Sequence, residues 1–439
     1  MYENITPLSP LGQFLQDRSG YDRVVLPYQP PLRLLQQAAS QLGGNFSLLH
    51  SSQSDPSGNH QSLLATQPLE EMALTSWEEL QQLLATHPQA LWVGNLEYEM
   101  GQGGKSVLTR YARYYLFDNR RQQLECFSHP EAIDFAFSDI ENHQSLRWPS
   151  CEAASLTSNM RKQEYLEKVA ATLEQIRAGE FYQANLTRRF AGDFTRAPQA
   201  TELIALFSAL CEASPAGYAA LLKRGDSTII SSSPESFLSI TDKGEILSRP
   251  IKGTARRSPD AAADAAIREQ LQQSEKNRAE NLMIVDLMRN DLAIHSVAGS
   301  VEVQALYEIQ AYPHLYHLVS TIKAQRQAGI SSADIIRACF PPASMTGAPK
   351  KRVMEWCRMQ EPTPRGIYSG ALGWLAGDGS ADLSVVIRTL RVEGRQFRFQ
   401  VGGGIVADSN PLDEWEETLT KAAALCKVLC ITRDALAGI

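Results

Sequence analysis

The strand-forming segments of this chain come in runs of several at a time, and that arrangement limits its fold more than any other feature. Segments 181–190, 219–222, 228–232 and 237–240 follow one another with no long helical pattern between the last three, and 368–375, 383–392 and 397–401 form a second group. Helical patterns stand between the groups. Tyr165, Val169, Leu173 and Ile176 recur at helical spacing, with Ser158 or Asn159 as candidate caps and Gly179 as the stop. Further helices are expected from Ser258-Pro259 through Gln273, resuming from Ser274 to Arg289, and at 332–339, 350–359 and 412–430. A parallel βαβ series would alternate strand and helix one by one, so grouped strands point to an α+β fold.

With 439 residues and 43% apolar content, the chain can bury a large core as one big domain or two closely packed lobes. The turn-rich stretch 51–62 follows the apolar run 46–50 and reads as strand, loop, strand. The soft stretch 148–158 divides an N-terminal region, 1–150, from a C-terminal region, 151–439. A net charge of −7, with no Lys/Arg cluster interleaved with aromatics, argues against nucleic acid as a partner. No apolar run approaches a membrane span, and residues 1–14 lack the basic start and apolar core of a signal peptide, so a cytoplasmic protein is expected. The seven cysteines have no paired spacing and read as reduced and structural, Cys426 and Cys430 included.

The residues that invite chemistry are few. Lys252, in Arg249-Pro-Ile-Lys-Gly-Thr254, lies between a proline and a glycine that lets a ligand approach. It reads either as a solvated loop lysine or as a nucleophile, and the second needs burial or a cationic neighbour such as Arg249 to hold the amine neutral. Glu235, just after an apolar strand, is a solvated carboxylate or a general acid. Glu280 shares a helix face with Ile284 and Leu287, and is either paired with Lys276 or available to another cation. Glu417 lines up with Glu414, Thr420 and Lys421, where an ion pair with Lys421 competes with a metal role. Two carboxylates from separate helices suit Mg2+, which keeps waters and takes few protein ligands.

Arg388 interrupts an apolar run, and its guanidinium fork suits a carboxylate unless it is an inward charge at a sheet edge. Gly402, Gly403 and Gly404 sit inside a strand pattern, where a bulge or the close approach of a ligand explains them equally. The phosphate-loop spacing, a dinucleotide glycine pattern in its strand-to-helix context and the Gly-x-Ser-x-Gly elbow are absent.

Together, Ser233-Pro-Glu235, Pro250-Ile-Lys-Gly-Thr254, Ala279-Glu-Asn-Leu-Met-Ile-Val-Asp-Leu-Met-Arg-Asn-Asp291, His317-Leu-Val-Ser320, Thr346-Gly-Ala-Pro-Lys350, Ile387-Arg-Thr389 and Gly402-Gly-Gly404 resemble the chorismate-utilising enzymes from about residue 160 to the end. That family includes the anthranilate, aminodeoxychorismate and isochorismate synthases. The resemblance implies a large two-lobed β-sandwich with helices on the outside. It implies Mg2+ held by Glu280 and Glu417, and chorismate contacted by Gly253, Thr254, His317, Tyr368, Arg388 and Gly402 to Gly404.

Anthranilate synthases read Pro-Ile-Ala-Gly-Thr where this chain has Lys252, whereas aminodeoxychorismate synthases carry the lysine. Isochorismate synthases activate water with a lysine where this chain has Gln183. The implied reaction is amination of chorismate at carbon 4 through a Lys252 adduct, with Glu235 as general acid. Ammonia is expected from a separate glutamine amidotransferase subunit, because nothing in the chain resembles that cysteine-histidine machinery. The alternatives are an anthranilate synthase component or a non-catalytic subunit that binds chorismate or activates the glutaminase.

Two departures stand out. Relatives read Pro-Gly-Gly-Ser where this chain has Pro341-Pro-Ala-Ser344, which should stiffen the loop. Leu48-Leu-His-Ser51 resembles the start of the family's tryptophan pocket, marking Ser51 as a candidate contact, but Asn59-His-Gln-Ser62 does not continue that pattern.

Overall fold

The computed structural model describes residues 10–17, 20–39, 45–52, 61–133 and 153–439. A run of strands, antiparallel at every pairing, forms its frame. It passes from Gln183–Asp193 through Gln396–Ile405, Thr389–Glu393, Ser227–Ser233, Tyr218–Arg224 and Phe46–His50 to Gln61–Leu74. It continues through Ser106–Asp118, Leu91–Leu96, Ala371–Ala376, Ala381–Val385, Ser236–Ile240 and Glu245–Arg249 to Leu315–Gln325. Ile251–Arg256 prolongs one edge of that last strand, and Glu302–Ala311 forms its other edge.

A twisted run of this length cannot stay open and flat. Side-chain alternation shows how it closes. Ala219 and Leu221 join a core with the helices Lys162–Arg177, Ala200–Ala213 and Pro411–Val428, while Ala220 and Leu222 on the opposite face pack with Ile367, Leu372 and Val386 from the other half. The second half is covered in turn by Trp77–Thr86, Glu275–Ala293 and Ser332–Cys339. Each fully buried leucine in these layers contributes ~1.5–3 kcal/mol of apolar burial. The result is the two-lobed α+β sandwich with outer helices that the sequence leads one to expect. Phe46–His50 pairs with Tyr218–Arg224 and Leu91–Leu96 with Ala371–Ala376, so strands from before residue 150 lie in the middle of the run. Residues 148–152 of the expected boundary lie outside the described residues, as does Asn59.

Three local expectations change. The segment 383–392 is two strands, because Arg388 adopts φ +49° and breaks the extended backbone. The helix at Lys162 is capped at Arg161, with Glu164 reaching back to the Arg161 N–H, rather than at Ser158 or Asn159. Among the cysteines, Cys430 is exposed, whereas Cys126, Cys211, Cys339, Cys357 and Cys426 are buried. Among the described residues, no helix is long and apolar enough to cross a membrane.

Candidate functional site

Closure of the run brings its two ends together around a cavity of about 1060 Å³. Gln400, Val401, Gly402 and Gly404 line one wall, residues 251–254 and His317 line the other, and the helices Glu275–Ala293 and Pro411–Val428 contribute Glu280, Glu414 and Glu417.

Lys252 reaches this cavity through a break in pairing. Ile251 stands opposite Val319 and Thr254 opposite His317, so the first strand has one more residue than its partner over this interval. Gly253 absorbs the irregularity at φ +92°. Burial lowers the Lys252 pKa, with Lys421 acting in the same direction and Glu280, Glu235 and Glu417 opposing it. The helpful cation is therefore Lys421 and not Arg249, which lies outside the cavity lining.

Glu235 is almost fully buried, 5% exposed. Its backbone is fixed by a hydrogen bond from its N–H to Ser233 Oγ at 3.3 Å and one from the Val385 N–H to its carbonyl at 3.0 Å. Burial raises its pKa against the opposing pull of the Ser344 hydroxyl, Lys252, the Ile251 N–H and Arg388. It thus keeps its proton to higher pH than an ordinary glutamate. Ser344 comes from the short turn Ala343–Met345, within the segment where this chain carries Pro342 and Ala343.

The left-handed backbone at Arg388 takes its side chain out of the strand line, and Nη1 donates to Ser214 Oγ at 3.0 Å. His317 Nδ1 and Thr254 Oγ1 share a hydrogen bond of 2.8 Å. Burial, helped by Arg388, depresses His317 to about 3, which makes it a neutral imidazole at physiological pH. Tyr368 lines the same cavity, its hydroxyl pKa pushed up by burial.

The three glycines differ. The strand pairing is regular across them, Gly402 opposite Thr187, Gly403 opposite Leu186 and Gly404 opposite Asn185, so no bulge accounts for them. A Cβ on Gly402 would lie 2.7 Å from the Leu186 carbonyl oxygen, and one on Gly403 would meet Glu414 Oε2 at 2.5 Å. A Cβ on Gly404 would lie 2.7 Å from Gln183 Nε2 and 3.8 Å from Lys252 Nζ. Gly402→Ala therefore strikes backbone and should cost ~1–3 kcal/mol of stability. Gly404→Ala should fold normally but raise KM about tenfold or more by displacing the Gln183 amide beside the Lys252 amine. Melting curves and initial rates on the two variants check this contrast.

The carboxylates offer a cation few ready ligands. Glu417 Oε1 is 2.6 Å from Lys421 Nζ, so the ion pair weighed from sequence does form. The pairing of Glu280 with Lys276 does not form among the described residues. Burial raises the Glu417 pKa, but Lys421, Lys252 and Lys276 outweigh it and the carboxyl stays below its ordinary value. Glu414 accepts a hydrogen bond from Ser409 Oγ at 2.6 Å through Oε1, while its buried Oε2 has no hydrogen-bond partner. Among the described residues there is no ready-made group of three metal ligands. Two or three glutamates from two helices, one with an unsatisfied oxygen, fit a hard cation that keeps waters and substrate oxygens in its shell.

Of the residues singled out from sequence, Lys252, Glu235, Gly253, Thr254, His317, Tyr368, Arg388, Gly402, Gly404, Glu280 and Glu417 all line the cavity. Gly403 backs it from behind, against Glu414. Ser51 lies elsewhere, its N–H donating to Ser62 Oγ at 3.3 Å. A separate cavity of about 230 Å³ is lined by Leu49, His50, Ser62, Tyr218 and Asp382, and Ser51 is not part of its lining. Sequence reasoning missed Ser344 and Ser214, and it gave Glu414 and Lys421 only as neighbours of Glu417 on one helix face. For Glu414 the signal was present, since it stands one turn before Glu417 on the same helix face. The cavity thus joins an amine of lowered pKa, a carboxyl of raised pKa, a guanidinium and a cluster of glutamates. That set can carry out covalent chemistry on an anionic small molecule.

A family model described as chorismate binding enzyme matches residues 37–427. Aminodeoxychorismate synthase component 1 of Escherichia coli K12 is 42% identical over 322 residues, 72% of this chain and 68% of that protein. Aminodeoxychorismate synthase of Streptomyces griseus is 41% identical over 281 residues, but this chain spans only 38% of its length. Among solved structures, the menaquinone-specific isochorismate synthase of Escherichia coli superposes with a TM-score of 0.78 at 18% identity, covering 93% of this chain and 94% of that one.

Proposed function

This chain belongs to the chorismate binding enzymes, and from that premise we propose that it converts chorismate and ammonia into 4-amino-4-deoxychorismate, for 4-aminobenzoate and folate synthesis. The observation that carries the proposal is the Lys252 amine, lowered in pKa and aimed by the Gly253 irregularity into the cavity. The neutral Nζ attacks ring carbon 2, the ring double bonds shift, and the 4-hydroxyl departs with the proton of Glu235 as water. Ammonia then adds at carbon 4, the double bonds shift back, and the lysine amine leaves carbon 2. Glu235 recovers a proton from the incoming nitrogen, and the two displacements together retain configuration at carbon 4.

Arg388 meets one substrate carboxylate with its planar fork, and neutral His317, fixed by Thr254, offers a hydrogen bond without adding charge. Gly253, Tyr368 and the 402–404 glycines shape the remaining surface. Glu280 and Glu417, with Glu414 alongside, would hold Mg2+, which would supply neutralisation of a second substrate carboxylate. In a chain of net charge −7, such local positive charge is what lets a dianion bind. Arg388→Lys keeps the charge and tolerates the φ +49° backbone no worse than arginine, but loses the fork. KM for chorismate should rise about 10- to 100-fold with a smaller change in kcat.

The name component 1 carried by the Escherichia coli relative implies a second component. We assign that role to a glutamine amidotransferase supplying ammonia in the cytoplasm. The test is an assay with chorismate, ammonium and Mg2+ and no partner. A non-aromatic 4-amino product supports the proposal. Fluorescent anthranilate would instead favour the ortho-aminating reading, and no turnover at all would favour a non-catalytic subunit.

A further inference from the structure

One contact inside the cavity occupies a group that the proposed metal site needs. Lys421 Nζ lies 2.6 Å from Glu417 Oε1 and donates to the Gly402 carbonyl oxygen at 2.7 Å. Both side chains are nearly half exposed, 46% and 44%, and both line the cavity. An exposed pair at this helical spacing adds little to stability, so its weight lies in the carboxylate it occupies. Glu414 Oε2 is buried nearby without a hydrogen-bond partner, and Glu280 makes no ion pair among the described residues, so Glu417 alone of the three is neutralised by direct contact.

We propose that Lys421 is a displaceable internal cation. It neutralises Glu417 while no divalent ion is bound and yields that carboxylate when the ion arrives. This inference rests on the metal reading given above. The Gly402 carbonyl keeps hold of the ammonium after its release, so the charge remains in the cavity and faces whatever anion enters. Two consequences follow from electrostatics. A divalent ion binds the ligand-free chain weakly, because it must expel one cation and tolerate it nearby. Metal and anionic substrate then strengthen each other, because the released ammonium is uncompensated until an anion meets it.

The experiment is calorimetric titration of Mn2+ into the purified chain, without chorismate, for the wild type, Lys421→Gln and Glu280→Gln. Glutamine removes the charge yet keeps an N–H donor for the Gly402 carbonyl, and Lys421→Met serves if that variant does not fold. Lys421→Gln should bind Mn2+ about tenfold more tightly than the wild type, and Glu280→Gln should bind it far more weakly. Mn2+ binding that requires Glu280 but is unchanged or weaker in Lys421→Gln overturns the role of Lys421 alone. An absence of Mn2+ binding in both wild type and Lys421→Gln, or binding indifferent to Glu280→Gln, removes the metal reading and this inference with it.

Discussion

Lys252→Ala is expected to slow formation of the 4-amino product by about 10³-fold or more while leaving the fold intact. The loss is large because no other amine among the described residues is placed to substitute: Lys421 stays tied to the Gly402 carbonyl oxygen. The fold should survive because Lys252 contributes little to it. Its pKa is lowered in the folded state, so between that lowered value and its ordinary value near 10.5 the unfolded chain binds the extra proton. Stability of the wild type therefore rises with pH across this window, and Lys252→Ala should flatten that rise. At neutral pH the variant should melt at the wild-type temperature or slightly above it. Stopped assays together with melts at several pH values read both effects.

Glu235→Gln is expected to lower kcat by about 10²- to 10⁴-fold, the usual range for a positioned general acid. Glutamine is close in shape and carries no proton to give, so KM should change little. The pH dependence separates this role from a structural one. Activity needs Lys252 neutral, which gives a rising limb through its lowered pKa, and Glu235 protonated, which gives a falling limb through its raised one. The pair lies in one cavity and titrates as a coupled system, so the two limbs bound a bell whose midpoints belong to both groups. Residual activity of Glu235→Gln should lose the falling limb. Stability tells the same story with its own sign. The folded chain holds the Glu235 proton above the pH at which the unfolded chain releases it, so stability falls as pH rises from the ordinary carboxylate value through the raised one. The substitution should abolish that fall and leave the protein at least as stable at pH 7.

The side chains that meet in the cavity were largely legible from the sequence because each stood out locally: a lysine between proline and glycine, an arginine in an apolar run, glycines in a strand pattern. Their convergence was not. Lys252 and Gly404 are brought together by closure of a long strand run, and no local periodicity encodes that. The irregularity at Gly253 was hidden as well, since it depends on the register against Val319 and His317. The break at Arg388 was hidden because Val385, Val386, Ile387 and Leu390 around it read as one strand until the backbone turns left-handed. The edge strand Glu302–Ala311 is mostly exposed, and its alternation is interrupted at Ala305-Leu-Tyr307, where the pairing register shifts. The helix Ala200–Ala213 is nearly apolar all round, which blurs the helical period. Arg249 was the nearest cation to Lys252 along the chain, but the cation that matters in space is Lys421.

The most direct test is intact-mass analysis of the protein incubated with chorismate and Mg2+ in the absence of ammonia. The mechanism predicts a protein heavier by one chorismate less one water, a modification that maps to Lys252 and disappears when ammonium is added. An unmodified protein that still forms the 4-amino product once ammonium is supplied would contradict it.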